Sequence, residues 1–275
     1  MSPITATSQV FDAIQGAKAG ASAFCTNFFP VQGKLQGWID RGELLGELRD
    51  RSAFFLRKDR DFRHLFFCAT DVATLEREIT ALPCLKTDRV AVDLVGSEAV
   101  LAHLLKVVES AGFGCYARLV RLARASSQPE QPQPSVDGVR ILYAGKTDCQ
   151  AIMDLLECSF DRYADQLPML CEIEAAVEAR QILAVKCEGT LAALLFFESQ
   201  GFTSTIRFWV VAERFRTHRF GSALMRHYFS AQSAVRRFIL WVTADNENAV
   251  LKYRHYGYVP DGLIDHVLVN GNVHP

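Results

Sequence analysis

The sequence predicts an α/β fold arranged as two domains of similar size. Strand-like and helix-like patterns alternate through the second half of the chain, and a proline-rich stretch lies just before that half. A strand, helix and strand upstream of this stretch repeat the order found near the C-terminus, as a weak internal repeat. Such alternation is typical of a sheet covered by helices, and 275 residues are enough for two cores.

The first predicted domain, residues 1–125, has one clear series of strands and a helix. Its strands are predicted at residues 65–68, 89–95 and 116–122. Its helix is predicted through Leu101, Leu104, Leu105 and Val108 and ends at residues 111–113. Thr70 and Asp71 follow the first strand, and either side chain can cap a helix that starts there. An acidic cap would compete with a phosphate for the same positive helix end.

The predicted domain boundary is residues 126–137, where Pro129, Pro132 and Pro134 stand among polar residues. Proline fixes φ and lacks an N–H group, and polar neighbours cannot form a core. This stretch therefore predicts an extended, solvated linker. The second predicted domain is residues 138–275.

The second domain alternates apolar runs with amphipathic helices. Glu188 and Gly189, between two of the apolar runs, are a hairpin signal. The predicted strands are residues 139–143, 182–185, 191–197, 205–211, 237–243 and 267–269, and the predicted helices are residues 149–160, 170–179, 222–232 and 248–256.

Composition and sequence patterns argue against several classes of protein. The net charge of −1, from 30 basic and 31 acidic residues, gives no support for general nucleic-acid binding. No apolar run is long enough for a membrane span, and the N-terminus lacks the pattern of a signal peptide, so we expect a cytoplasmic protein.

The eight cysteines form no C-x-x-C pair and are interpreted mostly as reduced core residues. The histidines show no metal-binding spacing with a carboxylate, so we predict no metal site.

One polar loop leads into the predicted helix at residues 222–232. The loop comprises Arg216, Thr217, His218, Arg219, Phe220, Gly221 and Ser222. Free backbone N–H groups at a helix start bind anions such as phosphate. Tyr253, on the helix that returns beside this loop, could act as an acid next to the bound group.

The segment from Val139 to Val269 resembles the GNAT family, the Gcn5-related N-acetyltransferases, most strongly from Arg207 to Tyr258. The family's loop reads Gln/Arg-x-x-Gly-x-Gly/Ala, and Arg216 to Gly221 match it, with Arg219 in place of the first glycine. The later family pattern is matched by Asn246, Ala249, Tyr253 and the pair Gly257-Tyr258. Arg219 either crowds the loop, points outward or adds a contact to a phosphate.

The resemblance implies tandem GNAT-like domains, each with a twisted mixed β-sheet flanked by helices, and acetyl-CoA as acyl donor. It implies that the backbone of the Arg216–Ser222 loop holds the pyrophosphate and that Tyr253 protonates the leaving thiolate. It also implies that the strand at residues 205–211 splays from its neighbour, so that Val210 and Val211 bind the acetyl carbonyl and pantetheine arm through their backbone. Asn246 could hydrogen-bond the same arm or cap the last helix, and Ala249 belongs to the same pattern.

The general base stays open at this stage, because the strand at residues 205–211 carries no carboxylate. Glu198 is the base we select, and Glu213 and Asp245 also lie near strand ends. Asp161, Tyr163 and Asp165 lie in the loop that covers the acceptor site in the family. Each of these side chains can equally be an ordinary surface group.

The predicted function is direct transfer of an acetyl group from acetyl-CoA to a primary amine of a small molecule or peptide. The alternatives are a non-catalytic sensor or scaffold that binds acyl-CoA, and transfer of a longer acyl group. No nucleic-acid or membrane partner is expected, and both monomer and homodimer stay open. The first domain has Thr70, Asp71 and Val108 where the second has its loop and Tyr253, so we predict one active site.

Overall fold

The computed structural model describes residues 1–126 and 139–271. The chain forms two compact units: one holds Met1–Leu119 and the C-terminal residues from Gly262, and the other lies between Val120 and Asp261. The predicted linker, residues 126–137, lies outside the described residues except for its first position. Whether residues 1–125 and 138–275 fold as separate domains therefore stays a prediction.

The strands within the described residues alternate with helices along most of the chain. The strands are β1 (Ser2–Pro3), β2 (Cys25–Thr26), β3 (Leu44–Leu48), β4 (Ser52–Asp59), β5 (Phe62–Ala69), β6 (Val90–Gly96), β7 (Phe113–Ala125), β8 (Ile141–Tyr143), β9 (Ile182–Cys187), β10 (Thr190–Gln200), β11 (Thr203–Val211), β12 (Arg237–Thr243) and β13 (Val259–Asn270). The helices are α1 (Thr7–Ala19), α2 (Gln32–Asp40), α3 (Val72–Ile79), α4 (Cys84–Thr87), α5 (Glu98–Ser110), α6 (Cys149–Glu157), α7 (Leu170–Glu178), α8 (Phe220–Ala231) and α9 (Glu247–His255).

In the first unit the strands follow the order β1-β3-β4-β5-β6-β13-β7. Strands β3, β4 and β5 pair antiparallel, β5 pairs parallel with β6, and the last strand of the chain pairs antiparallel with β6. The core lies between this sheet and its helices and includes Val10, Leu35 and Phe55. The sheet of this unit is thus completed by residues that follow the second unit in sequence.

In the second unit the order is β7-β12-β11-β10-β9-β8, in which only the second half of β7 takes part. Strands β8 to β11 pair antiparallel, whereas β11 and β12 pair parallel. One core lies under α8, and a second core lies under α6 and α7. The predicted α/β fold with mixed sheets is confirmed.

The cysteine prediction is only partly right. All eight thiols are free, but only Cys25, Cys68 and Cys149 are buried. Cys115 is exposed, as is the neighbouring Gly114 near the start of β7. Among the described helices, none is long and apolar enough to cross a membrane.

Candidate active site

The second unit contains a gap between two parallel strands. Strands β11 and β12 pair from Thr203↔Arg237 to Ile206↔Leu240, and the remaining residues of each strand have no pairing across the gap. On its other side β11 stays paired with β10 as far as Val211. The backbone of residues 207–211 therefore faces the gap without a strand partner, which confirms the expected splay.

A β-bulge at Arg207 reverses the two faces of β11. Phe196 pairs with Phe208 and Phe197 with Ile206, so Arg207 is an additional residue with no opposite partner. As a result, Ile206 packs into the core under α8, whereas Phe208 packs into the core under α6 and α7. The bulge lies where the pairing with β12 ends, and a side-chain pattern does not reveal it.

The N-terminus of α8 offers unpaired backbone donors. The N–H groups of Phe220, Gly221 and Ser222 donate to no described residue, and the first intrahelical bond runs from Ala223 N to Arg219 O (3.1 Å). Arg219 precedes the helix with φ 57° and ψ 17°, which is the left-handed region. Three free N–H groups at the positive end of a helix form an anion site.

The conformation of Arg219 explains why glycine is common at this position of the family loop. A left-handed residue with a side chain costs roughly 1–2 kcal/mol, whereas glycine adopts it freely. The side chain of Arg219 is exposed, so it does not fill the loop. The predicted helix 222–232 begins two residues late because Phe220 and Gly221 belong to its first turn.

Gly221 packs closely against β11. A Cβ atom on Gly221 would lie 3.2 Å from the Trp209 ring and 3.3 Å from a Val211 methyl group. The Trp209 Nε1–H group donates to the Gly221 carbonyl oxygen at 3.1 Å. Gly221 thus holds α8 close to the unpaired end of β11, and its own side of the helix faces the core. Trp209 was missed from the sequence, because an indole in an apolar strand reads as an ordinary core residue.

The loop before α8 forms a six-residue 3₁₀ helix from Glu213 to His218. Arg216, Thr217 and His218 are exposed, and the Arg216 guanidinium lies 3.8 Å from the Glu213 carboxylate. An exposed pair at that distance contributes little, so Arg216 can turn to another anion at small cost. Exposed cations therefore flank the free N–H groups of α8.

Tyr253 packs against the gap from the side of α9. Its ring centre lies 5.5 Å from that of Trp209, and its hydroxyl group makes no hydrogen bond to a described residue. Burial raises the pKa of the Tyr253 hydroxyl, and the nearby negative charge of Asp165 raises it further. The hydroxyl is therefore held protonated at neutral pH, and its hydrogen-bonding capacity is unused.

Asn246 is the N-cap of α9. Its Oδ1 atom accepts a hydrogen bond from the N–H of Ala249 at 3.1 Å. The capping alternative of the sequence analysis is therefore correct for the side-chain oxygen. The amide nitrogen of the exposed Asn246 side chain is not used by this cap.

The candidate bases differ in their surroundings. Glu198 forms an ion pair with Arg207 (2.8 Å), and Glu213 and Asp245 are exposed. Asp165 is partly buried, and this burial together with the charge of Asp161 raises the pKa of its carboxyl group to about 6. Within the described residues, no group of three or more His, Cys, Asp or Glu side chains is arranged to hold a metal ion.

In the first unit, the position that corresponds to the gap is filled by a side chain of the same unit. Strands β5 and β6 are likewise parallel strands that pair over only part of their length, at Arg63↔Val90 and His64↔Ala91. Beyond them, Asn27 bridges the strands: its Nδ2 donates to Leu65 O (3.0 Å) and Asp93 O (3.1 Å), and its Oδ1 accepts from Phe67 N (2.7 Å). The first unit therefore has no open gap at this point. Asn27 was not selected from the sequence, since its partners lie about 40 and 66 residues away.

The helix that follows β5 is capped as predicted. Asp71 Oδ1 accepts from the N–H of Thr74 at 2.7 Å, so a carboxylate occupies the start of α3. Val108 on α5 is fully buried. Neither the anion site nor the tyrosine of the second unit has a counterpart at these positions.

The sequence profile of the acetyltransferase (GNAT) family matches residues 149–258. This range contains the gap, the start of α8 and Tyr253. Residues 149–258 are a GNAT-family domain. The sequence matches no curated protein.

Solved GNAT structures share the fold of the chain at low sequence identity. A tandem GNAT protein from the clavulanic acid biosynthesis pathway is 12% identical, with a TM-score of 0.64, over 99% of this chain and 98% of that chain. A GCN5-related N-acetyltransferase from Sphaerobacter thermophilus is 14% identical, with a TM-score of 0.61, over 100% and 96% of the two chains. One from Kribbella flavida is 15% identical, with a TM-score of 0.56, over 87% and 93%. The tandem GNAT arrangement expected from the sequence is thus confirmed as a fold.

Proposed function

We propose that the protein transfers an acyl group, most simply acetyl, from acyl-CoA to a primary amine. The observation that carries this proposal is the juxtaposition of two features in the GNAT domain. The α8 start has three free N–H groups, and Gly221 in its first turn packs against Trp209 and Val211 of β11, where that strand has no partner. A phosphate and the peptide-like arm that follows it need such donors at one helix end and one strand edge.

The residues present fit acetyl-CoA as the donor. The N–H groups of Phe220, Gly221 and Ser222 would hold the pyrophosphate, with the exposed Arg216, Thr217, His218 and Arg219 beside it. The backbone of Val210 and Val211 would bind the acyl carbonyl and the arm, and the free amide nitrogen of Asn246, one turn before Ala249, would bind the same arm.

Tyr253 would serve as the acid of the reaction. Attack of an amine on a thioester releases a thiolate, which needs a proton or a hydrogen bond. The Tyr253 hydroxyl is protonated, unpaired and packed beside Trp209 at the gap. This arrangement supports direct transfer without a covalent intermediate on the enzyme.

Isothermal titration with acetyl-CoA, followed by a thiol-release assay with a panel of small amines, amino acids and peptides, tests the proposal. We expect binding and amine-dependent thiol release. Binding without release across the panel would favour a sensor or scaffold instead, and absence of binding would reject both. Faster release from butyryl- or octanoyl-CoA than from acetyl-CoA would identify a longer acyl group as the one transferred.

A further inference from the structure

We propose that Asp165 is the general base that removes a proton from the amine acceptor. This inference rests on the proposed acyltransfer and names a residue for its first step. Asp165 lies in the segment between α6 and α7, which is anchored to the bulged strand β11 beside the gap.

The anchor is a set of contacts made by Arg207. Its Nη2 group donates to the carbonyl oxygen of Gln166, the residue after Asp165, at 3.2 Å, and its Nη1 group donates to Glu198 at 2.8 Å. Arg207 is the bulge residue of β11. The segment that carries Asp165 is therefore fixed to the point where β11 separates from β12.

The carboxylate of Asp165 is itself held in one orientation. Its Oδ2 atom accepts a hydrogen bond from the N–H of Asp161 at 2.8 Å, and Asp165 N donates to Asp161 O at 3.0 Å. The Asp161 carboxylate instead accepts from the N–H groups of Tyr163 and Ala164, both at 2.8 Å, as a turn-forming side chain does. Asp161 therefore shapes the turn, and Asp165 is the acid whose second oxygen is left for another donor.

The Asp165 segment and Tyr253 contact neighbouring positions of the same strand, β11. The segment of Asp165 contacts β11 at Arg207, and Tyr253 contacts it two residues later at Trp209. The negative charge of Asp165 contributes to the raised pKa of the Tyr253 hydroxyl, which is consistent with the two groups lying near the same stretch of β11. Because burial brings the pKa of Asp165 to about 6, the carboxylate is ionised at neutral pH and basic enough to accept a proton.

Asp165 and Tyr253 together account for every proton that moves during the transfer. An ammonium acceptor gives one proton to Asp165, and its nitrogen lone pair forms the C–N bond to the thioester carbonyl carbon. When the C–S bond breaks, its electron pair goes to sulfur, which takes the Tyr253 proton. The second proton lost from nitrogen restores the Tyr253 hydroxyl, and the Asp165 proton returns to solvent.

The competing base is Glu198. Its carboxylate is neutralised by the guanidinium of Arg207 at 2.8 Å, and both side chains are partly exposed. A carboxylate oxygen held in such an ion pair is less available to an acceptor amine. Arg207 is accordingly assigned as a positioning residue for the Asp165 segment.

Asp165→Asn tests the assignment, with acetyl-CoA affinity, turnover and melting temperature measured for each variant. We expect unchanged affinity and turnover lower by about 10²-fold. The rise of kcat/KM with pH near pH 6, which forms the acid limb of the pH profile, should also disappear. The exposed Asp154 on α6 supplies the matched control, and Asp154→Asn should behave as the unaltered protein. Arg207→Gln should move the limb to higher pH, since the guanidinium lowers the pKa of Asp165.

The outcomes separate this inference from the proposed function. Turnover of Asp165→Asn within threefold of the unaltered protein, or an unchanged limb near pH 6, would overturn the role of Asp165 alone. Loss of that limb in Glu198→Gln and not in Asp165→Asn would transfer the role to Glu198. Failure of the unaltered protein to bind acetyl-CoA would reject the proposed function itself.

Discussion

At the residue scale, the proposed acyl transfer assigns the role of acid to the hydroxyl group of Tyr253. Its ring packs on Trp209, so removal of one oxygen leaves the packing intact. For Tyr253→Phe we expect turnover lower by about 10²-fold with acetyl-CoA affinity changed by less than twofold, because only the leaving thiolate needs the hydroxyl. Steady-state kinetics and titration measure both quantities. Turnover within threefold of the unaltered protein would remove Tyr253 from the mechanism.

Arg219 combines a strained backbone with a useful charge, and two substitutions separate these properties. Arg219→Gly removes both the side chain and the cost of its φ of 57°, so we expect about 1 kcal/mol of added stability. Arg219→Ala keeps the strain and removes only the charge. Both should weaken acetyl-CoA binding by a similar factor, roughly fivefold, if the guanidinium reaches a phosphate.

Urea unfolding and titration measure these two effects independently. Equal stability of the glycine and alanine variants would show that the left-handed conformation carries no cost here. Unchanged affinity in both variants would show that Arg219 points away from the phosphate.

At the element scale, two parallel strands separate in each unit, but only in the second unit does the separation stay open. In the second unit the backbone of β11 faces the gap unpaired. In the first unit the Asn27 amide spans from β5 to β6 and satisfies three backbone groups. An asparagine side chain carries both donor and acceptor atoms, so it takes the place there of the absent ladder.

Asn27→Ala should therefore destabilise the protein. It leaves the Phe67 N–H group and the carbonyl groups of Leu65 and Asp93 without their partner, and we expect a loss of about 2 kcal/mol. Asn248→Ala, at an exposed position on α9, is the control and should change stability by less than about 0.5 kcal/mol. A loss no greater for Asn27→Ala than for the control would mean that water replaces the amide at no cost.

At the scale of the whole molecule, the two units predict one donor site per chain. Asn27 fills the gap of the first unit, and the Asp71 carboxylate occupies the start of α3, where it would repel a phosphate. Titration with acetyl-CoA should thus give a stoichiometry of about one. A value near two would show that the first unit also binds, and protection of the first unit in hydrogen exchange would locate the second molecule.

The elements of the second unit were largely predictable from side-chain patterns. The strand at residues 237–243 has the predicted bounds, and the hairpin turn at Glu188 and Gly189 has positive φ at both positions. The N-terminus of α8 lies two residues before the predicted one, because a glycine in the first helical turn resembles a loop residue. In the first unit α1, α2, β3 and β4 were not predicted, because no helical or alternating pattern was identified there.

The sequence by itself determined the alternation of strands and helices, the loop before α8 and the choice of Tyr253, because these depend on local patterns and on residues close together in the chain. Only the tertiary structure decided which backbone groups and side chains lie at the gap. The bulge at Arg207, the contact of Trp209 with Gly221 and the bridge made by Asn27 depend on backbone groups brought together from distant positions. Hydrogen bonds of this kind follow from strand register, which a single sequence specifies only through the whole fold.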